Sequence, residues 1–117
     1  SQYIRWRDAD ADGLIKCITC DTKKHVKQMQ CGHFMSRRHY ATRWHEKNSA
    51  GQCYGCNIGN QGAQYKMSKE LDKKYGEGTA ENMYQRSKES RKYTNEELIQ
   101  LIIYYNRLTD DMQNKHS

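Results

Sequence analysis

Apolar residues are sparse along this chain and gather in short runs between long polar stretches. SQYIRWRDADADG reads as a short helix or arm, with Tyr3, Ile4 and Trp6 as docking residues and Gly13 as its end. KCITC at 16–20 predicts a tight turn that presents two thiols. HVKQMQCGHF alternates weakly through Val26, Met29, Cys31 and Phe34, which predicts an irregular strand running to His33. Residues 35–52 carry no clean period and read as loop with one helical turn, and QCYGC at 52–56 repeats the thiol turn. GAQYKMSKELDKKYG predicts a helix closed by Gly76, with Tyr65, Met67 and Leu71 as its few apolar positions. TAENMYQRSKES predicts a second helix with Thr79 as N-cap. The surest element is the last. Thr94 to Glu97 forms a T-x-x-E capping box, and Leu98, Leu101, Ile102, Tyr105, Leu108 and Met112 follow at helical spacing. No other segment has so regular a stripe, so this helix is expected to supply the core. The whole predicts one small α+β domain over 1–117, with a short β-hairpin, flanking helices and long loops. A core of about residues 14–75 is followed by a helical part of about 79–113.

Composition makes that core thin. Hydrophobic residues are 35% of the 117, and mean hydropathy is −1.20. A domain this polar needs a staple such as a disulfide set or a structural metal. Four of the five cysteines form two C-x2-C pairs, Cys17/Cys20 and Cys53/Cys56, separated by 32 residues. Two residues between cysteines let one turn direct both sulfurs at one ion, and two such turns complete a tetrahedron. The pattern predicts a structural zinc and a reducing compartment rather than disulfides. Zinc binding of about 10–16 kcal/mol in small peptides would stabilise a domain with little core. Cys31 is read as a small buried residue, not a fifth ligand. No apolar run approaches the roughly 18 residues of a membrane span and no signal-peptide pattern opens the chain, so a soluble intracellular protein is expected.

Charge changes the picture again. The net charge is +6, and all of the excess falls between Lys16 and Lys47, where eight Lys/Arg face two acids. A phosphate backbone is the natural partner of such a segment. Arg37, Arg38, Arg43 and Lys47 are the candidates to grip it. Arg43 could alternatively lay its stem on Trp44 or cap a turn.

Within the basic insert, His33 is followed by Asn48 after 14 residues and Asn57 after eight more, directly behind the last zinc cysteine. This H…N…CxxCN order resembles the HNH endonucleases, whose ββα-metal core is a hairpin and a helix around one catalytic divalent ion. The resemblance implies His33 as the general base, Asn48 as a positioning residue and Asn57 as a ligand of Mg²⁺ or another divalent cation. YIRWRDADADGLIKCITCDT, CGHFMSRR, RWHEKN, GQCYGCN and TNEELIQLIIYYNRL further resemble the phage lambda NinG (Rap) family in order and spacing. That resemblance implies a DNA endonuclease of phage recombination, cutting D-loops and Holliday junctions in the cytoplasm of a bacterial host. One departure stands out: most HNH enzymes carry a metal-ligating Asp just before the base histidine, and here Gly32 fills that place. His39 or His45 could supply the second ligand, or His33 could itself bind the ion. The rival expectations are a nuclease dependent on a recombinase filament and a non-catalytic zinc DNA-binding module.

Overall fold

The structure, a computed structural model, describes residues 2–116. Helix α1 spans Gln2–Asp8, and strands β1 (Leu14–Lys16) and β2 (Lys23–His25) pair antiparallel from Leu14↔His25 to Lys16↔Lys23. The turn between them carries the first thiol pair and is closed by Cys17 N donating to the Thr22 carbonyl at 2.8 Å. A 3₁₀ turn, Val26–Gln28, leads to β3 (Gln30–His33), which pairs antiparallel with β4 (Ser49–Gln52) from Gln30↔Gln52 to His33↔Ser49. Strand β4 lies where the polar/apolar pattern predicts only loop. All four of its residues, SAGQ, are buried. A strand covered on both faces has no alternation to read.

The β3–β4 connection holds helix α2 (Tyr40–Arg43) and a 3₁₀ turn at Glu46–Asn48. Beyond β4 come a π-helical turn (Gly55–Gly59) and helices α3 (Gln64–Tyr75), α4 (Thr79–Ser87) and α5 (Asn95–Lys115). The mixed α+β character expected from the sequence is present. The α4 cap differs from expectation. Gly78 is the N-cap, at φ +91°, where a side chain would be strained. Thr79 is already helical and donates its hydroxyl to the Gly76 carbonyl at 2.7 Å. Asp72 of α3 accepts the Ala80 amide at 2.8 Å, so the capping carboxylate comes from the neighbouring helix.

Two small clusters form the core. Phe34, Ala50, Met67, Leu71, Ala80 and Met83 pack the second hairpin on α3 and α4. Ile15, Cys17, Val26, Met29 and Cys53 pack around the thiol turns. The stripe of α5 supplies neither. Its only buried residue is Thr109, and Ile102 is 60% exposed. Helical spacing reports that one face is apolar but not what covers it. Here the cover is mainly seven-residue α1, through Tyr3 against Tyr105 at 5.8 Å and Trp6 against His116 at 5.2 Å. Tyr65, expected to pack, is 75% exposed.

Helix α1 also clips the second hairpin in place. Arg7 donates to the Glu46 carbonyl at 2.8 Å and the Ser49 carbonyl at 2.9 Å. Asp8 accepts the Gly51 amide at 2.7 Å and pairs with Lys74 at 3.0 Å. Burial alone would raise the Asp8 carboxyl, but Arg7 and Lys74 outweigh it and hold it below its ordinary value.

Candidate active site

The thiol turns converge as the spacing predicts. The sulfurs of Cys17, Cys20, Cys53 and Cys56 all lie within 4.8 Å of one another, with Cys20 and Cys53 3.6 Å apart. A tetrahedron with Zn–S of about 2.3 Å puts its sulfurs about 3.8 Å apart, so four thiolates here could hold a zinc ion. The Cys53 amide donates to Cys17 Sγ at 3.3 Å and the Thr22 amide to Cys20 Sγ at 3.4 Å. Hydrogen bonds from the Thr22 hydroxyl and amide lower the Cys20 thiol, towards the thiolate a metal needs. Cys31 lies outside the cluster and is half-buried, its thiol raised by burial.

His33 ends β3, and the chain just after it is locked by Asn48. The buried Asn48 side chain accepts the Met35 amide at 2.8 Å and donates to the Met35 carbonyl at 3.1 Å. The Asn48 carbonyl accepts the Phe34 amide at 2.7 Å. Both faces of the loop leaving His33 are therefore held by one residue across the hairpin. Burial, then the Arg37 guanidinium, push the His33 imidazole down to about 4, so it is neutral at physiological pH.

Asn57 sits in the π-helical turn, where its amide reaches the Cys53 carbonyl at 2.9 Å. Its side-chain Nδ2 donates to Gln30 Oε1 at 2.6 Å, which fixes the amide and turns Oδ1 away from Gln30. The outer edge of β3 is unpaired among the described residues. A cleft of about 510 Å³ touches Arg5, Gln30, His33, Arg37 and Asn57. A smaller chamber of about 180 Å³ also touches His33, walled by Tyr3, Arg37, Arg43, Trp44, His45 and Tyr105. Among the described residues no carboxylate lines either space. Burial, then the Glu46 carboxylate, raise the Tyr3 and Tyr105 hydroxyls of the chamber wall.

The structure thus places His33 and Asn57 on one cleft, with Asn48 buried behind as a brace. It places His45 with His33 in the chamber. His39 lines neither space and accepts from Arg38 Nε at 3.5 Å. Arg43 takes the aromatic alternative, its guanidinium 5.0 Å from the Trp44 ring and 5.7 Å from Tyr40. Arg37, Arg38 and Lys47 are exposed. Sequence reasoning missed Gln30, which orients Asn57, and the aromatic chamber. Tyr3 and Tyr105 reach it from opposite ends of the chain, and no local pattern could announce that.

Residues 1–115 match the family described as Bacteriophage Lambda NinG protein. The chain belongs to the NinG family. Membership connects it with phage recombination, and the match spans the four-cysteine cluster, the basic insert and α5, so all are parts of a NinG chain. No curated protein and no solved structure matches the chain. No helix among the described residues is long and apolar enough to cross a membrane.

Proposed function

We propose that this chain is a metal-dependent DNA endonuclease of the HNH type, hydrolysing phosphodiester bonds in branched recombination intermediates such as D-loops and Holliday junctions. The observation that carries the reading is the meeting of His33 and Asn57 on one cleft at the open edge of β3. The order hairpin, thiol turn, helical segment agrees with the ββα arrangement that HNH chemistry uses. Family membership and the basic insert support a DNA substrate.

In this reading His33 takes the proton of the attacking water. It is neutral and therefore able to accept one, and such a base contributes about 10²–10⁴ in rate. Asn48 touches no reacting atom; it holds the loop that aims the imidazole. Arg37 shares the cleft and binds the scissile strand, while Arg38 and Lys47 extend the positive face. Asn57 Oδ1, turned away from Gln30, would hold a divalent ion. Such an ion, when bound, neutralises charge on the scissile phosphate and leaving oxygen. Mg²⁺ at a phosphate is usually held by one or two carboxylates, and the described residues of this cleft offer only amide oxygens, so the ion's other ligands would have to be phosphate and water.

The test is cleavage of plasmid and four-way-junction DNA with Mg²⁺ or Mn²⁺, with and without a recombinase filament. Cleavage that needs the ion and is lost in His33→Ala is the expected result. DNA binding without cleavage under every condition would replace this reading with the non-catalytic zinc module, the alternative favoured by the missing carboxylate.

A further inference from the structure

The chamber beside His33 and the aromatic row on α2 are not used by the chemistry above. Tyr3, Trp44 and Tyr105 give the chamber aromatic walls, and Arg37, Arg43 and His33 bring it cationic and polar edges. Its volume of about 180 Å³ is that of a single aromatic ring, since a cavity of about 150 Å³ takes up benzene. A base pair does not fit.

The row continues outside the chamber. The Tyr40 ring lies nearly parallel to Trp44, at 5° and 5.9 Å, and is 47% exposed. Arg43 lies against both rings, and Tyr93 closes the row edge-on to Trp44 at 4.8 Å. Trp44 is fixed from behind, its carbonyl accepting the Tyr105 hydroxyl at 2.6 Å. Tyr40 is open to solvent, and Trp44 and Tyr93 are half-buried. Such rings interleaved with guanidinium groups suit bases that stack while their phosphates meet the arginines, with the Glu46 carboxylate the acid that acts on Tyr3 and Tyr105. In duplex DNA those base faces are already stacked and out of reach.

We infer that the Tyr40–Trp44 row and the adjoining chamber form a subsite for unpaired bases of a DNA single strand, beside His33. The inference rests on the proposal that this face binds DNA, and it narrows the substrate to DNA with unpaired nucleotides next to the cleaved bond.

Trp44 itself reports on the subsite. The chain has two tryptophans, so Trp6→Phe leaves Trp44 as the sole indole fluorophore. The zinc-loaded variant is titrated, without added divalent ion, with an oligo-dT strand and with a blunt duplex of equal length. Oligo-dT is expected to quench Trp44 emission, and the duplex to bind by fluorescence polarisation with little quenching. In the wild-type background, which does not depend on Trp6→Phe folding, Tyr40→Ala should weaken oligo-dT binding at least about fivefold and change duplex binding less than twofold. Equal quenching by both DNAs, or equal weakening of both by Tyr40→Ala, would overturn the subsite. Oligo-dT quenching in a protein that cuts no DNA would sustain it and refute the nuclease alone.

Discussion

The His33 imidazole is held down at about 4 by burial first and by Arg37 second, and both rate and stability should register it. An ordinary histidine base would lose activity below about pH 6.5. With His33 as the proposed base, the acid limb of kcat/KM is expected well below that, measured on a cleavable junction. Stability follows from the same difference. Between about pH 4 and 6.5 the unfolded chain binds a proton at this histidine that the folded chain does not, so stability rises with pH across that window and is lost as pH falls through it. His33→Gln removes the effect. Its Tm relative to wild type should therefore be higher at pH 5 than at pH 7.5; a pH-independent gap would show His33 to be unperturbed. His33→Ala should keep zinc and DNA affinity while losing cleavage by at least about a hundredfold. Gly32 makes a different point. A Cβ there would meet Gln52 Oε1 at 2.1 Å and Gln52 Cβ at 3.0 Å. Gln52 is fully buried and tied to Thr19 and the Gly62 carbonyl, so it has little room to yield. The Asp usual before an HNH histidine cannot be accommodated here without rebuilding this contact. Gly32→Ala should destabilise by about 1–3 kcal/mol in a urea titration, and Gly32→Asp should not improve metal use. The missing carboxylate was visible in the sequence; its steric reason, a glutamine from the opposite strand, was not.

Among elements, the thiol turns were fully readable because each needs only four consecutive residues and their partner repeats the pattern. The clamp is expected to hold about one zinc per chain, and Cys20→Ala or Cys53→Ala should unfold the domain, seen as lost far-UV CD signal and lost zinc. Folded protein without stoichiometric zinc would overturn this. Helix α3 and the capping box of α5 were equally readable, since Gly76 and the Thr94–Glu97 pair act locally. Strand β4 was not, because its residues are buried on both faces and its identity depends on pairing with β3. The role of α5 is hidden from the sequence for a related reason. Its stripe is real, but the core is made by Met67, Leu71 and Met83 of shorter helices with less regular patterns. Position in the fold, not periodicity, decides which apolar face is buried. The same limit applies to the site. His33, Asn48 and Asn57 stand out as residue types at a spacing, whereas Gln30 and the aromatic walls matter only through contacts across the chain.

The whole molecule is polarised in charge. The +6 sits within residues 16–47, and the remainder balances at twelve cations against twelve anions. Arg37 lines both spaces around His33, and Arg38 and Lys47 are exposed on the same β3–β4 connection. Cations elsewhere are more often offset, as Lys74 by Asp8 and Arg91 by Glu97. If about four to six phosphates are contacted on one face, log K for duplex DNA should fall against log salt with a slope of about −4 to −5. The identity of the cations then matters more than their number. Reversing charge at Arg37 and Arg38 should flatten the slope by about two, one for each lost phosphate contact. Reversing Lys88 and Lys115, which lie on the helical C-terminal part, changes net charge by the same amount and should leave the slope nearly unchanged. Fluorescence polarisation at several salt concentrations separates these outcomes. Equal flattening by both pairs would mean that DNA senses only the net charge of the chain. Flattening confined to Arg37 and Arg38 would locate the phosphates around His33.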